Sequence, residues 1–426
     1  MIVREKGEQS RTTWLIVFFL ILHIINQIDR QMIAGFAPDI MRDLSLSRSQ
    51  YALIAGLAFS SFYALTAVFA GVMADRIGRI PVLSAGVGIW SLFTGLSGLA
   101  QGFWTMLFAR PFVAAGEATL VPTASTIILS RVSPDRKATA IGIFFAGVPL
   151  GVGASFLIAG QLGPLIGWRY CFLLMAAIGI VATLFVMQIK DSSHLVSDGE
   201  VKPKSRELLR EIWSIAKTNR RYRYAMLAII LLHAHAATSP FVQLWLHEDK
   251  GLAKEYAANL YGGLFLVVGL VGSLGAGMLA DWLYQRSGVD RARTLAMLLF
   301  LLAPLVLAYR LVSPDSLLFL AGMVASVLFL TAAYGPIFSV IETELPKHLV
   351  ASSTGLAMLA INLIVVGGVS FAIGAGSQWL HDMDVSNSWT IPLLGADGIA
   401  IIACILLWLS SRSSAQNGAL TPGRTK

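Results

Sequence analysis

Charge is what this sequence has least of. Lys, Arg, Asp and Glu make up 13% of its 426 residues, against roughly 25% in an average soluble domain, so a water-soluble globule is excluded. Cysteine is nearly missing. The only two, Cys171 and Cys404, fall in hydrophobic stretches, which excludes a disulfide framework. No phosphate-binding loop, HExxH pair or GxSxG elbow occurs, and each would be the mark of an enzyme site. No polar domain is available to hold a nucleotide, so neither enzymatic activity, a metal nor a cofactor is expected. The strand alternation of a membrane barrel is missing too.

What the chain has is apolar length. It is 56% hydrophobic with a mean hydropathy of +0.71. Spans of about 20 apolar residues cross a bilayer as helices, because lipid offers nothing to satisfy an open sheet edge. About twelve such spans are expected, near 12–36, 50–74, 80–100, 103–130, 136–163, 167–189, 223–247, 257–281, 291–311, 315–342, 351–377 and 392–411. The first is too long for a cleavable signal peptide and carries Asp29 and Arg30 beyond its apolar start.

The net charge of +8 suggests nucleic acid only if its placement is ignored. With the amino terminus in the cytoplasm and sides alternating, 24 of the 32 Lys and Arg lie on the cytoplasmic side, 6 outside and 2 within spans. That bias is the positive-inside rule. A multi-pass protein of the inner (plasma) membrane is expected, with both termini cytoplasmic and no nucleic-acid partner.

A polar, basic stretch at 190–222 separates six spans (1–189) from six more (223–426). Within it, 205–217 (SRELLREIWSIAK) has apolar residues at helical spacing, as an interfacial amphipathic helix would. The halves share features. GVMAD at 71–75 ends the second span and GMLAD at 277–281 the eighth; SPDRKATAIG at 133–142 and LPKHLVASSTG at 345–355 open the fifth and eleventh. Related halves are a usual build of secondary transporters, with the site at the repeat interface.

The most demanding motif is GVMADRIGR at 71–79. Gly71 and Gly78 would permit close approach and a tight turn. Asp75, Arg76 and Arg79 could latch two bundles on the cytoplasmic side, with Asp281 at the matching place in the second half. Arginine alone would satisfy a positive-inside turn; the spacing GxxxDRxGR asks for more. It resembles the signature loop of the major facilitator superfamily, although Ile80–Pro81 stands where that family usually has another basic residue, and Trp282 replaces the arginine in the second copy. NQIDRQMI at 26–33, ARPFVAAGEA at 109–118 and SPDRKATAIGIFFAG at 133–147 further resemble the spinster branch. The resemblance implies an all-α membrane fold of two pseudo-symmetric six-helix bundles and a lysolipid- or sphingolipid-like cargo. A monomer is expected.

Four ionisable residues interrupt apolar spans: Asp29 and Arg30 in the first, Arg110 and Glu117 in the fourth. A charge at membrane depth costs on the order of 3 kcal/mol or more and marks a pathway by default. At 1.5 Å per residue, Asp29 and Arg110 lie about 10 Å inside the outer ends of oppositely directed spans, so they could pair. Glu117 is two turns deeper than Arg110 on the same face. His23 and Asn26 share a face with Arg30. A carboxyl's proton affinity falls as an arginine approaches, so Asp29 and Glu117 are expected to carry protons, with Arg30 and Arg110 as switching partners. The bland alternative is a static buried ion pair.

His23, Asn26, Arg110, Glu117 and Tyr334 are the candidates for the substrate cavity. Gly335 and Pro336 beside Tyr334 suggest a hinge, and the glycines of the fifth span suit either an antiporter motif or close packing. The second half offers no buried charge at mid-span, only His233, His235, Thr238, Gln243 and Asn362. This asymmetry suits a proton-coupled carrier of an amphiphile. An antiporter for drugs or organic ions is the nearest rival, and a polytopic membrane enzyme the rival of another class.

Overall fold

A computed structural model describes residues 2–133, 136–189, 205–332 and 344–418, and every regular element among them is helical. Ten helical stretches are long and apolar enough to cross a membrane. One of these, Thr139–Met187, runs for 49 residues, about 74 Å of helix at 1.5 Å per residue. That is more than twice a hydrocarbon core of about 30 Å. It breaks at Gly167, whose φ of 80° and ψ of 159° suit glycine and turn the chain between two crossings' worth of helix. A shorter apolar helix, Leu317–Ala332, adds to the ten.

The surface is apolar where a soluble protein would be polar. Trp104 is 76% exposed and Leu317 82%, with Leu165, Met278 and Leu301 close behind. Exposed apolar patches of this extent call for a partner, and lipid supplies it.

Contacts group the chain into two compact units. One comprises Met1–Ser197, Ser239–Leu270 and Ser370–Trp389; the other comprises Asp198–Thr238, Val271–Val369 and Thr390–Lys426. The first boundary, after Ser197, falls within the 190–222 stretch, and two later segments join the first unit. The reason is local bonding at the end where the first span finishes, called the far end below. There Arg48, at the start of the second span, donates to Glu248 Oε2 at 2.6 Å, Ser377 Oγ at 2.8 Å and Ser388 Oγ at 2.5 Å. Its guanidinium lies 4.8 Å from the centre of the Trp389 ring. Tyr51 donates to the Pro240 carbonyl at 2.9 Å, and Lys254 pairs with Asp39 at 2.5 Å. Segments from late in the sequence are thereby tied to the early helices.

The first unit's core includes Phe19, Phe59, Val87, Trp90, Val113 and Phe144. The second unit's includes Tyr222, Ile229, Leu299, Phe329, Leu349 and Leu407. The expected amphipathic helix forms as Ser205–Thr218. Its apolar face has a protein partner, since Ile212 is buried in the second core with Leu208 and Ile215 against it. Leu209 and Trp213 face outward.

Candidate functional site

The site is built on the first, third and fourth spans. Helix Ile2–Gly35 carries His23, Asn26, Asp29 and Arg30, and helix Phe103–Glu117 carries Arg110 and ends at Glu117. The chain restarts as Leu120–Arg131, so Glu117 sits at a break in its span. Close packing fixes that break. A Cβ on Gly116 would stand 2.5 Å from the Gly86 carbonyl and 2.7 Å from the Trp90 amide nitrogen, a crossing only glycine allows.

Asp29, Arg110 and Glu117 are each 1% exposed. The four charged groups form one electrostatic cluster: Arg110 is coupled to Glu117, Asp29 and Arg30, and Glu117 to Arg30 and Asp29. The expected Asp29–Arg110 ion pair is not made. Thr94 Oγ1 of the third span lies 2.7 Å from both Asp29 oxygens. Arg110 lies across Phe59 instead, its guanidinium carbon 4.7 Å from the ring centre. Arg30 approaches the same ring at 5.0 Å and Tyr63 at 4.5 Å. Aromatic faces thus take the place of carboxylates as partners of both cations. Among the described residues, neither Glu117 oxygen has a hydrogen-bond partner, nor do Nε and Nη1 of Arg110. Buried polar atoms are nearly always satisfied, so this set is unusual.

His23 and Asn26 extend the polar face. His23 Nδ1 donates to the Phe144 carbonyl at 2.9 Å, and its ring stacks on Phe144 at 4.4 Å. It therefore faces the fifth span. Asn26 Nδ2 and Gln27 Oε1 are buried without partners among the described residues. The glycines of the fifth span serve close packing: a Cβ at Gly151 would meet Gln27 Cβ at 2.5 Å, and one at Gly147 would meet His23 Cβ at 2.9 Å. Tyr334, with Gly335 and Pro336, lies outside the described residues.

At the other end of the second span, Gly78 adopts φ 97° and ψ 152° between helices Phe59–Ile77 and Arg79–Gly98. Glycine is needed there. Gly71 is not crowded, for a Cβ on it meets nothing within 4 Å; the expected close approach is absent around it. Asp75 and Arg76 are exposed in the last turn before Gly78. Asp281 pairs with Arg291 Nε at 2.7 Å, so the cation missing at Trp282 arrives from the next helix.

No buried charge is expected at mid-span in the second half, and the buried charges it holds stand near span ends. Asp397 and Arg310 are both fully buried, joined at 2.9 Å through Arg310 Nε, and His235 Nδ1 lies 2.6 Å from the other Asp397 oxygen. Arg310 and Asp397 stand near the ends of their spans, where each reads as an edge charge. His233 and Asn362 bond carbonyls one turn back in their own helices, as lone polar residues in a membrane helix do.

One positional signal would have found the missed residues. The charge count leaves six cations at the far end, where positive-inside gives them no reason to be. Each has a partner: Arg42 the carboxylates of Asp39 and Asp43, Arg48 that of Glu248, Lys254 that of Asp39 and Arg310 that of Asp397. Arg169 donates to the carbonyls of Gly98 and Ala100, and Lys250 sits over Trp245.

Long apolar helices around buried, partly unsatisfied ionisable groups define a polytopic membrane transporter. The chain belongs to the Major Facilitator Superfamily, whose family model matches residues 19–369. It is 27% identical over 314 residues to the hexuronate transporter of Bacillus subtilis, covering 69% of this chain and 71% of that protein. It is 27% identical over 185 residues to protein spinster homolog 1 of Xenopus laevis, covering 43% of this chain but only 35% of that protein. Among solved structures, a bacterial homologue of the human lysosomal transporter spinster, inward-facing and unoccupied, superposes with a TM-score of 0.78 at 22% identity, covering 95% of this chain and 98% of that one. The spinster likeness read from the three motifs is upheld by these matches.

Proposed function

We propose that the chain is a proton-coupled secondary transporter that works by alternating access and carries an amphiphilic, lysolipid- or sphingolipid-like substrate. The observation that carries the reading is the unsatisfied pair of buried groups, Glu117 and Arg110. A carboxyl with no hydrogen-bond donor and an arginine with no carboxylate are poised for partners that come and go. Asp29 and Glu117 take up and release protons. Arg110 and Arg30 move between aromatic faces and carboxylates, and each such move changes the proton affinity of the carboxyl approached. Arg110 meets the substrate's polar head.

The proposed frame is twelve crossings in two six-helix bundles, 1–189 and 223–426, joined by a cytoplasmic 190–222 linker. The protein is a monomer in the inner (plasma) membrane with both termini inside. The GVMADRIGR turn and Asp281 form the cytoplasmic latch, while Arg48, Glu248 and Trp389 close the far end during turnover.

A second reading draws on the hexuronate transporter, which matches more of its own length than the spinster relative does. The unsatisfied guanidinium of Arg110 would suit an organic anion as well as a lipid headgroup. Proteoliposomes with an imposed pH gradient, offered lysolipids and then organic anions and cations, separate the two. Gradient-driven uptake of a lysolipid supports the first reading. Uptake of organic ions alone supports the second, and flux indifferent to the gradient for every compound sinks the proton coupling.

A further inference from the structure

The second unit holds a buried charged group that this transport scheme does not use. His235 is 3% exposed, and Asp397 and Arg310 are wholly enclosed. Asp397 receives His235 Nδ1 on one oxygen at 2.6 Å and Arg310 Nε on the other at 2.9 Å. His235 Nε2 lies 3.0 Å from Ser326 Oγ and 3.2 Å from the Ser326 carbonyl. Tyr309 donates its hydroxyl to Ser326 Oγ at 3.3 Å and lies under the Arg310 guanidinium. Phe329 meets the His235 ring edge-on at 5.2 Å. These groups come from the seventh, ninth, tenth and twelfth spans.

The chemistry of the two ring nitrogens differs. Nδ1 faces a carboxylate, which only accepts, so Nδ1 carries a hydrogen. Nε2 faces a hydroxyl that can donate or accept and a carbonyl that only accepts. In the neutral ring the Ser326 hydroxyl donates to Nε2. In the imidazolium, Nε2–H donates to the Ser326 carbonyl or hydroxyl, and a serine hydroxyl in a helix can turn to a carbonyl one turn back. Both states leave the ring satisfied. The ring can therefore hold or lack the second proton with the rotation of one hydroxyl.

The position gives that proton leverage. The α-helix Arg220–Leu232 ends just before His235, a 3-10 stretch Ala236–Phe241 containing Pro240 follows, and α-helix resumes at Val242–Glu248. Thr238 bonds the His235 carbonyl through both its amide, at 3.1 Å, and its hydroxyl, at 2.7 Å. The chain passes from one compact unit to the other directly after Thr238. Breaks of this kind are where transporters place their ion sites.

We propose that His235, held by Asp397, Arg310 and Ser326, is a second proton-binding site. It gains one proton at Nε2 and becomes an imidazolium, while Nδ1–H stays directed at Asp397. Its part in turnover rests on the proton-coupled reading; the binding of the proton does not, and is measured without transport.

The test is nitrogen NMR of the full chain in lipid nanodiscs with 15N-labelled histidine. His235→Gln assigns the resonances among the seven histidines. Ser326→Ala leaves every charge in place and shifts only the Nε2 signal of that ring, so it gives the assignment if charge-removing variants fail to fold. The expected result is one protonated ring nitrogen at pH 8 and two at pH 5, with Asp397→Asn leaving the ring neutral throughout. A wild-type ring that keeps a single protonated nitrogen from pH 8 to pH 5 overturns the proposal. If Glu117→Gln abolishes gradient-driven flux while His235 never gains its second proton, this inference fails and the transport reading stands. If His235 titrates in a protein whose flux ignores the gradient, the reverse holds.

Discussion

Two buried clusters of carboxylate and arginine occupy this molecule, and they are finished differently. In the second unit both oxygens of Asp397 are taken, by His235 at 2.6 Å and by Arg310 at 2.9 Å. Among the described residues of the first unit, Asp29 takes the Thr94 hydroxyl, Glu117 has no donor, and both arginines lie on aromatic rings. Taking one partner from the closed pair strands the other charge in a medium that cannot solvate it. An open set has little to lose structurally and gains when a proton or ligand arrives. The two clusters thus differ most at their carboxylates: Asp397 is paired on both oxygens, and Glu117 on neither among the described residues.

That contrast can be broken by paired substitutions. Asp29→Asn should lower gradient-driven flux by at least about a hundredfold, since each factor of ten in rate needs only about 1.4 kcal/mol, and should leave thermal stability within about 1 kcal/mol of the parent. Asp397→Ala should do the opposite in stability, costing about 3–5 kcal/mol by removing the buried carboxylate beside Arg310. Thermal unfolding of the two purified variants in one detergent checks the pair. Equal losses would mean that the first cluster is structural as well.

The far-end bonds give a smaller effect. Arg48→Ala removes donors to Glu248, Ser377 and Ser388 at once, and should cost about 2 kcal/mol, the range for a buried hydrogen-bonded charge. It should also speed thiol labelling of a Ser377→Cys reporter several-fold. Labelling at the parental rate would show that this network does not hold the end shut.

The smallest effect sharpens the comparison at the surface. Partial burial of Asp43 works against its charged form, but the Trp168 indole N–H at 2.9 Å and the Arg42 guanidinium hold its carboxyl below the usual range. A carboxyl lowered in the folded state contributes stability above its ordinary value of about 3.9, and loses it as pH falls through the lowered value. Asp43→Asn should therefore be slightly less stable than the parent at pH 7, and the difference should vanish as both are acidified below about pH 4. Identical acid profiles would remove Asp43 from the account.

The helical membrane fold was legible because apolar length is written residue by residue. The turn at Gly78 was legible for the same reason, since a positive φ leaves its mark in one glycine. The four charges of the first cluster stood out against apolar neighbours on both sides. Asp397 and Arg310 did not, because each sits near a span end, where a charge looks ordinary. Pairing across spans was the other blind spot. Depth placed Asp29 and Arg110 level with each other, but sequence could not show that Thr94 and Phe59 stand nearer to them. The compact units were equally hidden, because they depend on Arg48 and Lys254 reaching residues about 200 or more positions away.

The central claim is that Glu117 carries a coupled proton rather than a fold-holding charge. The direct measurement is substrate uptake by proteoliposomes holding wild type or Glu117→Gln, with and without an imposed pH gradient. The account predicts that the gradient drives uptake by wild type and has no effect on the variant, which remains folded and monodisperse. Gradient-driven uptake by Glu117→Gln at the wild-type rate would contradict it.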